Sequence, residues 1–392
     1  MESALLPMRK SLFIVYLALI YFLLAKPAHA IVNPLSVPNN KIGIHILFDS
    51  ELPQAARLIN SSGGDWGYVT IPIQWGDKDL VKWQNFMNNC RRYHVIPILR
   101  LATEGDFFNT TVWRKPLPSD IMDFANFLDS LDWPVKNRYI IIYNEVNRGD
   151  EWGGQANPQE YANLLSFAVT VFKSKSPDFF IISAGLDNAA PNLTPTYFNE
   201  YDYMKQMNAA VPGIFNQIDG LSSHSYPNPG FSQPPSAVSA MGTSSFLYEQ
   251  QLAKNLSNKT LPVFITETGW STDSISDDLA AHYYQTTFAS IWNDPSIVAI
   301  TPFLLQGWGS PFQQFSLLNG NGSYTKQYQF LHDLPKTHGY PVLAIRVLAA
   351  ETHKETLASL LPSLNFSKDN RHQRRYSLVN ITENVFNWLI GK

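Results

Sequence analysis

Between Lys41 and Leu334, short runs rich in β-branched residues alternate eight times with longer amphipathic segments, and this alternation restricts the fold more than any other feature. The extended runs fall at residues 42–48, 68–73, 95–101, 139–145, 179–186, 220–226, 263–268 and 299–306. Helical patterns lie between and after them at 53–59, 79–92, 119–131, 158–175, 196–210, 246–256, 277–292 and 325–334. They carry apolar residues at i, i+3 and i+4 spacing, and several have Ser, Asn or Asp near the start, where an N-cap is needed. Eight units over 294 residues give about 37 residues per unit, the size of a (β/α)8 barrel with modest loops. The competing architecture is a doubly wound open sheet, but no G-x-G-x-x-G or P-loop glycine pattern follows the first extended run. The expected fold is therefore α/β, a (β/α)8 TIM barrel.

The rest of the composition mainly excludes. The chain of 392 residues is 45% hydrophobic and 16% charged, a globular balance. A net charge of −3 gives no electrostatic case for nucleic acid. The single cysteine, Cys90, rules out an intramolecular disulfide and any paired-cysteine metal framework, so stability has to come from the core. No Asp/His cluster has metal-ligand spacing, and neither a metal nor a cofactor is expected. Aromatics reach 13%, with 10 Trp and 18 Tyr, and flat apolar faces with polar tips suit a sugar-binding cleft.

Residues 1–30 have the layout of a secretory signal: Arg9 and Lys10, an apolar stretch at 12–25, then Ala28-His29-Ala30 as a cleavage pattern. Cleavage after Ala30 is expected, leaving a secreted or extracytoplasmic protein without stable membrane insertion. The alternative is an uncleaved N-terminal anchor, for which the apolar stretch is short of the ~20 residues a spanning helix needs. Eight N-x-S/T sequons are present, about four of which chance would supply, so they do not decide whether the chain is glycosylated. The catalytic unit is expected at 31–335, with 336–392 as a C-terminal extension that does not continue the barrel pattern, and the protein is expected to be a monomer.

In a (β/α)8 barrel, function sits at the C-terminal ends of the strands. The fourth run passes from apolar residues into Asn144-Glu145, and the seventh ends in Glu267 within Thr266-Glu267-Thr268-Gly269-Trp270. A carboxylate closing an apolar strand is poorly solvated and needs partners, a cost seldom accepted for stability alone. Two such groups, three units apart on a closed ring, can face each other across the mouth. Retaining glycosidases need that pair, with carboxyls about 5 to 5.5 Å apart.

These motifs resemble the signature of the large clan of retaining (β/α)8 glycoside hydrolases that includes cellulases, β-mannanases, β-xylosidases and β-1,3-glucanases. The resemblance implies Glu145 as general acid/base, Glu267 as nucleophile and Asn144 as hydrogen-bond donor to the sugar. One departure is Val146, where many clan members have Pro after Asn-Glu. The clan also commonly places a His or Tyr at the end of strand six, here His224 and Tyr226, and a Trp under the sugar at strand eight, here Trp308. For these roles the two glutamates need environments that separate their proton affinities, Glu145 protonated and Glu267 ionised.

Other strand-end residues join the candidate substrate-binding set. Arg100 would be a costly buried cation without Glu267 or Glu145 as partner. His45 either lines the barrel floor or touches the sugar. Trp152, Trp270 and the Gln74-Trp75 pair are candidate walls of the cleft, and Asp187 is either a sugar contact or part of a turn. The expected activity is hydrolysis of a β-linked oligo- or polysaccharide. One rival is a carbohydrate-binding barrel that has lost turnover. A second is a Schiff-base barrel enzyme, which would want a Lys at a strand end where none stands.

Overall fold

The computed structural model describes residues 31–345; the expected signal segment 1–30 and most of the expected extension, 346–392, lie outside the described residues. Eight strands follow in order: β1 Gly43–His45, β2 Gly67–Gln74, β3 Val95–Ala102, β4 Arg138–Ile141, β5 Phe179–Ile182, β6 Leu221–His224, β7 Val263–Glu267 and β8 Ile297–Ile300. β1 to β5 form one parallel sheet and β6 to β8 a second. Single parallel bridges join the sheets into a ring, Ile42 to Ile300 on one side and Ile182 to Gly220 on the other. The fold is the expected (β/α)8 barrel.

The strands are buried on both faces, which is why they read as continuous apolar runs. One cluster, including Tyr68, Ile98, Tyr139, Phe180 and Phe264, fills the barrel. A larger one, including Val69, Leu99, Ile140 and Ile181, packs against the helices. The helices are α1 Leu52–Ile59, α2 Leu80–Tyr93, α3 Pro118–Asp129, α4 Pro158–Lys175, α5 Glu200–Ala210, α6 Ile214–Gln217, α7 Ser245–Ser257, α8 Asp277–Ala289 and α9 Lys326–Asp333. α4 has the sequence-derived limits because Asn157 caps the Gln159 and Glu160 amides and Pro158 sits in the first turn. α5 starts later than the periodicity suggests because Asn199 takes the cap, accepting from Tyr201 and Asp202.

Residues 336–345, expected to begin a separate extension, lie against the N-terminal end of the barrel. Lys336 Nζ donates to the Leu331 carbonyl at 2.6 Å and Ser61 Oγ at 2.9 Å, and the Lys136 amide donates to the Val342 carbonyl at 2.7 Å. The barrel unit therefore runs past residue 335. Among the described residues no helix is long and apolar enough to cross a membrane.

Glu51, in the turn after β1, is a buried acid with a measurable consequence. Its Oε1 accepts the Leu47 and Phe48 amides at 3.1 and 2.9 Å, while Oε2 has no partner among the described residues. Burial pushes its carboxyl up to about 7, against the pull of those two amides. The unfolded chain releases this proton near 4.5, so Glu51's contribution is fully present below that pH and is lost as pH rises through about 7. The loss is about 3 kcal/mol at most. The melting temperature is expected to fall between pH 5 and pH 8, and Glu51→Gln to flatten part of that fall. An unchanged slope in the variant would remove Glu51 as the cause.

Candidate active site

The site forms where β4, β6 and β7 end. After Ile141 the Ile142 amide still reaches the Ile182 carbonyl at 3.1 Å, and then the chain leaves the sheet. Tyr143 and Glu145 both take positive φ, 67° and 36°, conformations that non-glycine residues adopt at a cost of about 1–3 kcal/mol. The Glu145 amide is fixed by the Gly185 carbonyl at 2.9 Å. Such strain persists only where surrounding contacts impose it, and here it aims the Glu145 carboxylate into the barrel mouth.

His224 stands between the two glutamates. Its Nδ1 donates to Glu145 Oε1 at 3.0 Å and lies 3.8 Å from Glu267 Oε2. One imidazole nitrogen and one oxygen from each carboxylate all fall within 4.8 Å of one another. Burial works against a charged imidazole, but the charges of Glu267 and Glu145 outweigh it and raise His224 above its ordinary range. Behind it, Ser223 Oγ donates to Glu249 Oε1 of α7 at 2.7 Å, which anchors the end of β6. Tyr226 donates its hydroxyl to Glu267 Oε2 at 3.1 Å. Burial, with the charges of Glu267 and Glu145, keeps that phenol protonated.

His45 Nε2 lies 3.6 Å from Glu267 Oε1, with Phe303 edge-on at 5.0 Å between ring centres. Burial, then the charges of Arg100 and His224, hold His45 neutral, well below its ordinary range. Arg100 is buried at the end of β3 and lines the cleft. The sequence called for a carboxylate partner. Instead its Nε has no hydrogen-bond partner among the described residues, and its charge is felt at Glu145 and Glu151. Asn144 is also in the cleft, where its amide donates to Glu151 Oε1 at 3.3 Å.

Three tryptophans lie elsewhere than expected. Trp152 is buried between Tyr143 and Tyr161, and Trp270 is buried against Tyr284 and Trp292 with its indole nitrogen on the Gln233 carbonyl. Both are core residues, because burying so large an apolar surface outweighs presenting it to solvent. Trp308 is 53% exposed and rests on Gly320, outside the cleft lining. The reason is that β8 ends at Ile300, six residues earlier than the apolar run suggests, so Phe303 occupies the strand-end position meant for Trp308. Trp75 and Gln74 also lie outside the main cleft lining, and the Gln74 amide is used on the Gly105 carbonyl.

The cleft is walled by phenylalanines the sequence did not single out: Phe107, Phe231, Phe303, Phe312 and Phe315. The Phe107-Phe108 pair just beyond β3 and the Phe312/Phe315 spacing were the available signals. Also missed were Arg148, Asp150 and Glu151, which follow Asn-Glu directly. Arg148 Nη1 lies 3.2 Å from Glu145 Oε2. Burial would raise the Glu145 carboxyl, but Arg148, His224 and Arg100 hold it down at about 2. These three cations favour the carboxylate form of Glu145. Glu151 is instead the acid pushed up, to about 7, by burial and by the charge of Glu145. The two carboxylates and His224 are close enough together to hold a cation, but Arg148 and His224 already supply positive charge at Glu145, so the set reads as a charge-balanced pair.

Gly185 makes this packing achievable. A Cβ there would clash with Cδ2 and Nε2 of the His224 ring and fall 2.8 Å from Ser222 Oγ. Gly185→Ala is expected to push His224 off Glu145 at a cost of about 1–3 kcal/mol, visible as a lower melting temperature and a changed histidine titration by NMR. An unaltered His224 titration would show that the ring has room.

No protein-family model matches the chain, and no curated protein sequence matches it. Solved structures do. A family 39 glycoside hydrolase from Bacteroides cellulosilyticus WH2 aligns at TM-score 0.53 and 17% identity, over 78% of this chain and 65% of that one. A GH39 β-xylosidase from Caulobacter crescentus aligns at 0.52 and 14%, over 81% and 76%. A GH128 endo-β-1,3-glucanase from Sorangium cellulosum aligns at 0.50 and 15%, over 75% and 98%. The chain thus spans just under two thirds of the length of the first. Identities this low establish the shared barrel fold, and the chemistry has to be argued from the site.

Proposed function

We propose that the protein is a glycoside hydrolase that cleaves a β-linked glycan with retention of configuration. The observation carrying this reading is the pair of carboxylates Glu145, just beyond β4, and Glu267, closing β7, with oxygens within 4.8 Å of each other. That spacing suits direct attack by one carboxylate, whereas an inverting pair stands about 6.5 to 9.5 Å apart to admit water. The solved barrels that align are also glycoside hydrolases by description.

In the first step Glu267 attacks the anomeric carbon. The glycosidic C–O bond breaks, and its electron pair takes the proton carried by Glu145. In the second step Glu145, now a carboxylate, removes a proton from water. The water oxygen bonds to the anomeric carbon, and Glu267 leaves as a carboxylate. Tyr226 and His224 hold Glu267 in line, and Asn144 faces the bound sugar. No metal or cofactor takes part in this scheme. The test is a panel of aryl β-glycosides and polysaccharides, with the first-formed anomer read by NMR. A β product is expected; an α product would overturn retention.

A glycan rather than a single sugar is supported by a second cavity that shares Leu47 and Phe107 with the cleft. Its walls include Phe48 and Phe108, 46% and 39% exposed. Phe108→Ala is expected to raise KM about 2- to 10-fold for oligosaccharides while leaving a short aryl glycoside unaffected. Equal effects on both would place Phe108 outside the sugar path.

Arg148 on Glu145 favours one second reading, a sugar-binding barrel without turnover. In that case Glu145→Gln and Glu267→Gln would leave glycan binding intact with no activity to lose. Export rests on residues 1–30 and is tested by sequencing the N-terminus of the secreted protein, expected at Ile31.

A further inference from the structure

Arg148 holds the second carboxylate oxygen of Glu145. Its guanidinium forks onto Asp150, Nε to Oδ1 at 3.1 Å and Nη2 to Oδ2 at 2.7 Å, which fixes its plane. The remaining nitrogen, Nη1, lies 3.2 Å from Glu145 Oε2 and 3.5 Å from Asp187 Oδ2. One nitrogen is therefore shared between two carboxylates. Asp187 is prepared for it: Oδ1 accepts the Ala189 amide at 2.9 Å, leaving Oδ2 towards Arg148.

If Glu145 is the acid of a glycosidase, the glycosidic oxygen has to approach one of its carboxylate oxygens. Oε1 is taken by His224. That leaves Oε2, where Nη1 now sits. We propose that Arg148 is a positioning residue that sets the protonation of Glu145 by moving Nη1 from Glu145 to Asp187 when a glycan fills the cleft. This rests on the glycosidase reading of the site.

The charges around Glu145 are consistent with such an exchange. Arg148, His224 and Arg100 face it as positive groups, and Glu151, Asp187 and Glu267 as acids. With Nη1 on Glu145, the carboxylate form is held. With Nη1 on Asp187, one of the two cations in contact with Glu145 is withdrawn, burial weighs more towards the neutral acid, and Asp187 no longer shares its counterion. The proton then comes from solvent through the open cleft before the sugar closes over it. The device keeps Glu145 ionised in the empty site and protonated only when substrate is present.

The test combines carboxyl NMR titration of Glu145, assigned with Glu145→Gln, with pH profiles of kcat/KM. Arg148→Gln is expected to raise the Glu145 titration by about 1 to 3 pH units, and the alkaline limb of the profile with it. Arg148→Lys restores the charge and is expected to bring both back towards the parent values. Asp187→Asn leaves Nη1 with Glu145 alone, so it slows glycosides with poor leaving groups about 10-fold or more beyond activated aryl glycosides, which need no proton. A Glu145 titration unmoved in Arg148→Gln, or equal slowing of both substrate types by Asp187→Asn, would overturn the proposal. Should the parent protein turn over no glycoside, the functional reading falls, while the NMR titration still decides whether Arg148 governs Glu145.

Discussion

Glu267→Ala is expected to lower turnover of an aryl β-glycoside by on the order of 10⁴-fold or more, the scale of loss when a covalent nucleophile is removed. Glu267 closes β7 and is buried; Tyr226 donates to it at 3.1 Å, and the His45 and His224 rings lie near it at 3.6 and 3.8 Å. Tyr226 is the group that hydrogen-bonds this carboxylate and holds it in place. The alanine variant leaves space beside the anomeric carbon. Added azide should therefore restore part of the rate and give a glycosyl azide of α configuration, because the first displacement is then the only one. Loss of activity with the fold kept by circular dichroism, plus an α-azide product, is the expected result. A rate within about 10-fold of the parent would remove Glu267 as nucleophile.

Glu145→Ala separates the two carboxylates by role. Loss of a general acid costs about 10² to 10⁴-fold on substrates with poor leaving groups. It costs far less in the first step for an activated aryl glycoside, whose departing phenolate needs no proton. With such a substrate the second step becomes limiting, because no base remains to activate water. The covalent intermediate should accumulate as a burst of released phenol, and azide should speed its breakdown to a β-glycosyl azide. Opposite azide products from the two variants would assign each glutamate by stereochemistry alone. Identical sensitivity to good and poor leaving groups would deny Glu145 the role of acid.

Much of this site can be read in the sequence because a barrel strand imposes its own pattern. Apolar residues fill both faces, so a carboxylate at the end of such a run, as at Glu145 and Glu267, stands out. His224 and Tyr226 are visible for the same reason. Where an apolar run continues past its strand the reading fails. The run at 299–306 suggests a strand reaching Gln306 and a tryptophan just beyond it, but the regular strand ends at Ile300 and Phe303, not Trp308, lines the cleft. Trp152 and Trp270 mislead in another way: near the active carboxylates in sequence, they point away from them into packed aromatic clusters.

The sequence by itself determined the barrel and the two facing glutamates, because alternation, strand length and strand-end position are local properties counted along the chain. Only the tertiary structure decided the charge state of the site. Arg148 is three residues from Glu145, but Arg100 and His224 come from other strands and Asp187 from the loop after β5, and Coulomb energies depend on distances through space. Closure of the ring set Arg100 and His224 beside Arg148 around Glu145, which holds its carboxyl below the usual range, and left one Arg148 nitrogen between Glu145 and Asp187.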